Sequence, residues 1–344
     1  MTGSDVTKAG VRGQRPGSEA TPDSLRAPSK RRRAEEPMVP KADFDSYYGR
    51  PIIKAPSWSA RDIAGYFFLG GLAGAGSVLA AGAHLTGRRR TAKAMKVSSL
   101  GAISLSTAAL VHDLGMPSRF ANMLRVCKPT SPMSVGSWLL AGYGPAAGAA
   151  ALCAATGRLP RADAAATATA AVLGPAVAAY TAVLAANTAV PAWHEAHREL
   201  PYAFVSSATA AAAGMALVVA PLSENAPARR AALLGAAGEA LALRIGKRRM
   251  GIVAETYERG LGGRFSRVAE LLSAGGALGA ALLGHRHRSA AAISGLSLLA
   301  GSACLRLGVF HAGIASAEDP KYTVLPQRQR STERSRRESP DLAR

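Results

Sequence analysis

Charged residues are absent from Ile63 to Ala83, and Arg88, Arg89 and Arg90 close the run. That length matches the ~20 apolar residues needed to cross a hydrocarbon core. The pattern repeats at Met95–His112, Pro132–Thr156, Ala164–Val190 and Pro201–Leu222, and only the first of these four has a charged residue (Lys96) inside it. Three further runs follow: Ala231–Ile245, which holds Glu239 and Arg244; Phe265–Gly284; and Ser289–Phe310, which holds Arg306. The pattern predicts an all-α integral membrane bundle of about eight transmembrane helices in two four-helix halves, with no competing strand alternation. Residues 57–312 form the expected bundle. The polar stretch 1–56 reads as a disordered basic arm and residues 313–344 as a charged tail, since neither has an apolar period to offset the entropy of ordering.

Hydrophobic residues make up 48% of the chain but aromatic residues only 5%. The spans are therefore built of Ala, Gly and Ser, which pack poorly as a water-soluble core but let helix backbones approach closely in lipid. Gly70 and Gly74 stand in a small-xxx-small spacing of that kind. A dinucleotide-binding reading of the Gly-rich run fails, because Leu79 occupies the place of the third glycine and no strand precedes it.

With an even number of spans both termini share one side. The termini-side segments hold about 29 Lys and Arg against about 11 on the other side, which places both termini in the cytoplasm of a multi-pass protein of the cell membrane. Arg88 to Arg90 argue the other way. The net charge of +20 is thus a topology signal first, and Lys30 to Arg33 are read as a solvated cluster beside anionic lipid rather than a nucleic-acid site.

Cys127, Cys153 and Cys304 stand singly without C-x-x-C spacing, so an iron–sulfur cluster or structural zinc held by this chain alone is not expected. The seven His residues fall at helix ends or in loops, where a membrane haem could not be gripped between facing helices. His194 and His197 read as an interfacial pair. Glu239, Arg244 and Arg306 read as an interhelical pairing near one face, with the two arginines close to helix ends and able to snorkel. Polar residues concentrate in two loops on the termini side: His112-Asp113 with Arg119, Asn122, Arg125 and Lys128, and Trp193-His194-Glu195. Asp113 and Arg119 could be a structural ion pair. Together with Tyr66, Trp138, Tyr180 and Asn187 they also supply what a quinone needs: apolar walls, hydrogen-bond donors and a proton carrier at its carbonyls.

Three blocks carry a family resemblance: Tyr66-Phe67-Phe68-Leu69-Gly70-Gly71-Leu72-Ala73, His112-Asp113-Leu114-Gly115-x-Pro117-x-Arg119, and Ser131-Pro132-Met133-Ser134-x-Gly136-x-Trp138. With Tyr180-Thr181 and Pro191-x-Trp193, over about Met38 to Gln327, the chain resembles the NrfD/polysulfide reductase membrane-subunit family. The resemblance implies a haem-free, quinone-reactive anchor that exchanges electrons between menaquinone or ubiquinone and a docked 4Fe-4S ferredoxin-like subunit. That subunit in turn serves a molybdenum-containing catalytic subunit of the formate dehydrogenase or polysulfide reductase type. It implies acid–base roles for Asp113, His112 and Tyr180, and quinone contacts from Tyr66, Arg119, Asn122, Trp138 and Asn187. Arg125, Lys128, Trp193, His194 and Glu195 fall on the face expected to meet the partner. Met116 stands where the family often shows Arg. The rival classes are a transporter or ion-conducting bundle, lined by Glu239, Arg244 and Arg306, and a scaffold without a site.

Overall fold

The computed structural model describes residues 6–7, 10–11, 52–113 and 122–338. Met116 and Arg119 lie outside the described residues. Residues Ala55–Ser316 form one compact unit, in which helices α1 (Ala60–Leu85), α2 (Arg89–Asp113), α3 (Pro132–Thr156) and α4 (Pro160–Ala186) precede a short α5 (Pro191–Glu195). Then come α6 (Leu200–Val219), α7 (Ala226–Arg249), α8 (Gly260–Leu282) and α9 (Arg288–Glu318). The other unit contains a two-residue antiparallel ladder of β1 (Val6–Thr7) with β2 (Gly10–Val11), and α10 (Lys321–Glu338).

A long helix overlies each of the eight expected runs. Six of them, α1 to α4, α6 and α9, are long and apolar enough to cross a membrane. α7 and α8 are not among these six: α7 carries Arg229, Arg230, Glu239, Arg244 and three basic residues in its last turn, and α8 carries Arg264, Arg267 and Glu270.

Local chemistry fixes the helix ends. Ser59 caps α1 by accepting from the Asp62 N–H at 3.4 Å, a bond that satisfies one of the donors a helix N-terminus leaves open. Ser131 caps α3 in the same way ahead of Pro132, and Gly157 closes that helix in the left-handed conformation at φ 66°. α9 is longer than its apolar run. Nothing in Val309–Glu318 breaks a helix, and the stop comes only where Pro320 restricts the residue before it.

α1 is the axis of the compact unit, packing on α2, α4 and α6, while α3 closes against α4 and α2. α6 packs on α7, and α7 on α8. Small residues set these crossings. A Cβ on Gly74 would run into the Gly174 carbonyl of α4, and one on Gly174 into the Gly74 carbonyl, so the two backbones touch. Gly70, one turn away, instead faces Ser106 of α2. The small-xxx-small pair therefore serves two different neighbours.

Candidate functional site

The N-terminus of α1 and the C-terminus of α2 meet at one end of the bundle. Here the Ser59 N–H donates to Asp113 Oδ1 at 3.2 Å, and His112 Nδ1 lies 3.1 Å from Asp62 Oδ2. His112 is exposed, whereas Asp62 is mostly enclosed. One helical turn further in, Tyr66 follows Asp62 at i+4 on the same face of α1, about 6 Å along the axis. Tyr66 is 1% exposed, and its phenol faces that of Tyr180 on α4 closely enough to interact. Among the described residues Tyr66 Oη completes no hydrogen bond. A buried hydroxyl without a partner carries a desolvation cost, so this atom is a donor available to a ligand.

The third wall comes from α3. A Cβ on Gly136 would fall inside the Tyr180 phenol ring, so the Tyr180 side chain lies flat on the α3 backbone at the one residue that leaves room for it. The S-P-M-S block builds the approach to that glycine. Ser131 caps the helix, and Ser134 Oγ donates to Val126 O at 2.8 Å while accepting from the Lys128 N–H at 2.9 Å. The block thus ties the preceding loop to the first turn of α3 and sets Gly136 opposite Tyr180.

The family model for polysulphide reductase NrfD matches residues 54–234, more than half of the 344 residues. The chain belongs to the NrfD family. Membership, with six helices able to cross a membrane, makes it a multi-pass membrane protein and implies a membrane subunit of a quinone-linked oxidoreductase. A search of curated proteins found no match. All the motif blocks fall inside the matched region, which ends within α7.

Within this NrfD bundle, the structure brings Tyr66 and Tyr180 together and sets Asp113 and His112 at the α1–α2 end. It does not add the other described candidates to that group. Trp138 is 44% exposed and points outward from α3, and Asn187 is an exposed C-cap of α4. Asn122, Arg125, Lys128 and His194 are exposed, and Glu195 is half-buried. Trp193 is buried. Its Nε1–H donates to Val309 O at 2.7 Å, and its ring stacks on Trp58 at 5.6 Å, so it anchors α5 on α9 rather than presenting a surface. Asp62 was missed because an acidic residue in a first helical turn reads as an ordinary complement to the helix dipole. Its spacing of four from Tyr66 was the available signal.

The expectation for Glu239, Arg244 and Arg306 needs correction. Arg306 does not sit at a helix end, because α9 continues to Glu318; it is 0% exposed. Its Nη2 donates to Phe204 O at 2.9 Å, and its guanidinium lies 3.7 Å above the Phe204 ring. Glu239 is 1% exposed and accepts from Ser273 Oγ at 3.1 Å, while Arg244 is exposed on another face of α7. Phe204 in turn packs against Phe67, the neighbour of Tyr66. Among the described residues no three His, Cys, Asp or Glu side chains converge to hold a metal.

Proposed function

We propose that this NrfD-family chain is the quinone-reactive anchor of a multi-subunit oxidoreductase. It exchanges electrons between the quinone pool and a docked iron–sulfur subunit of a molybdoenzyme of the formate dehydrogenase or polysulfide reductase type. The observation that carries the reading is the buried Tyr66 hydroxyl without a partner, facing Tyr180 one turn below the His112–Asp62 pair. A quinone that takes two electrons takes two protons to become the quinol, and the reverse reaction releases both. In this reading the two phenols donate hydrogen bonds to a quinone carbonyl. The exposed His112 can exchange protons with water and pass them through Asp62, and Asp113 holds the start of α1 through Ser59. In this reading α7 and α8 complete eight spans around their buried polar residues, and menaquinone or ubiquinone is the exchangeable substrate. The termini lie in the cytoplasm, on the side of Arg125, Lys128 and His194, where the partner docks.

Two experiments test this. Affinity purification of the tagged chain is expected to bring down an iron–sulfur protein and a molybdoenzyme; a lone polypeptide would count against the anchor role. Reporter fusions after Arg344 and at Arg286 are expected to report opposite sides of the membrane. A fusion after Arg344 that is active outside the cytoplasm would reverse the orientation.

A further inference from the structure

A groove of about 680 Å³ runs along the outside of α2, between it and α1 and α6. The volume lies within the roughly 300–1,000 Å³ typical of small-molecule sites. Leu69, Leu72, Val97, Leu105 and Met215 line its length, and Arg90 and Lys93 close one end. From Lys93 to Leu105 the groove follows α2 for about 18 Å. One leaflet of the hydrocarbon core is about 15 Å deep. The groove is therefore an apolar channel about one leaflet deep with two cations at its mouth.

The charge at that mouth is only partly neutralised from within. Glu224 accepts from the N–H and the hydroxyl of Thr91 at 2.8 Å, and its negative charge offsets part of that on Arg90. Among the described residues no carboxylate pairs with Lys93. Lys93 also borders a second cavity of about 610 Å³ between the ends of α2, α3 and α4, which carries Arg89, Arg158, His84 and the buried Lys96. Lys96 is held there by both carboxylate oxygens of Asp163, at 2.7 and 2.9 Å. Around the mouth Arg89, Arg90, Lys93, Lys96 and Arg158 outnumber the carboxylates of Asp163 and Glu224.

We infer that the α1–α2–α6 groove is a specific site for one anionic phospholipid, its acyl chain along α2 and its phosphate between Arg90 and Lys93. The pairing of one-leaflet depth with cationic closure selects this occupant. A zwitterionic phospholipid offers the same phosphate but brings a cation of its own to a mouth that already holds Arg90 and Lys93. A quinone would find no carboxylate or imidazole lining the groove to move its protons, and free phosphate would leave the apolar length unused.

The test is native mass spectrometry of the delipidated full chain in detergent, titrated separately with phosphatidylglycerol, phosphatidylcholine, menaquinone and inorganic phosphate. One phosphatidylglycerol is expected per chain, retained about tenfold or more over phosphatidylcholine, in keeping with two basic residues at a lipid surface. The double variant Arg90→Gln/Lys93→Gln is expected to lose that preference, and the exposed Arg230→Gln to keep it. Gly101→Leu provides a second route at constant charge. A Cβ at Gly101 meets nothing within 4 Å, so the larger side chain starts into open space in the groove, and the variant is expected to abolish retention. Equal retention of phosphatidylcholine would overturn the proposal. So would preferential retention of menaquinone, equal binding of phosphate alone, or unchanged retention in both the charge and the groove variants.

Discussion

Replacing Tyr66 with Phe removes one atom from the proposed site and separates a structural role from a chemical one by sign. The ring is enclosed and touches Phe67 at 5.7 Å, and the Tyr66 backbone carbonyl accepts from Ser106 Oγ at 3.0 Å. Phe keeps all of this. What it removes is an Oη that approaches the Tyr180 phenol but completes no hydrogen bond among the described residues. A buried polar group in that state costs about 1–3 kcal/mol, so Tyr66→Phe is expected to leave stability unchanged or to raise it by up to that amount. Turnover is expected to move the other way. If the hydroxyl donates to a quinone oxygen as charge builds on it, its loss resembles the loss of one oxyanion donor and slows the reaction by about 10²–10³-fold. The assay measures thermal unfolding of the purified complex and quinol-dependent turnover per assembled complex on the same sample. A variant that melts earlier but turns over normally would refute the reasoning, because the hydroxyl would then be a structural hydrogen bond. Unchanged turnover in a stabilised variant would equally remove Tyr66 from the chemistry.

Gly136→Ala places a methyl group inside the Tyr180 ring position, and is expected to destabilise the first half by about 1–3 kcal/mol through overpacking and to impair turnover by displacing Tyr180; normal turnover would show that Tyr180 placement is not critical. Asp113→Asn retains an acceptor for the Ser59 N–H and is expected to preserve both assembly and turnover per complex, in keeping with its hold on the start of α1; slowed turnover in a fully assembled complex would give Asp113 a part in the chemistry. Arg306→Met removes the bond to the Phe204 carbonyl and the positive charge that acts on the buried Glu239, and is expected to cost about 1–3 kcal/mol. Adding Glu239→Gln is expected to recover part of that loss in a double-mutant cycle, and strictly additive losses would show that the two residues are not coupled. At Glu224, burial favours the neutral acid, but the two Thr91 hydrogen bonds and the Arg90 charge outweigh it and hold the carboxyl below the usual glutamate value. Its contribution to stability is thus fully present above the ordinary glutamate pKa and is lost as pH falls through the lower folded-state value. Melting measured from neutral to acid pH is expected to show a smaller acid-side loss in Glu224→Gln than in the parent, and identical profiles would contradict that assignment.

The long apolar runs located the long helices of the bundle, most sharply where charge is absent as in α1, α3, α4 and α6, because charge inside hydrocarbon is costly. The ends were less legible. Pro132 and the Ser131 cap marked the start of α3, but nothing at Phe310 stops α9, so the continuation to Glu318 put Arg306 in the interior instead of at a snorkelling end. Trp193 followed a proline in a polar loop and read as surface. Its burial depends on Val309 and Trp58, more than a hundred residues away in either direction. The tyrosine pair was readable as residue types, while the reason for Gly136 was not, since only the fold shows Tyr180 lying across it. His112 was legible as chemistry, but its partner was not: Asp62 faces it across the α1–α2 end from fifty residues earlier.

The central claim is that electrons pass between quinone and a docked iron–sulfur subunit at the Tyr66–Tyr180 site. It is tested most directly by adding quinol to the purified, oxidised complex and following reduction of the partner's clusters by electron paramagnetic resonance. The account predicts cluster signals that appear with quinol and are slowed in Tyr66→Phe. Clusters that stay oxidised under quinol in a complex that still contains this chain would contradict it.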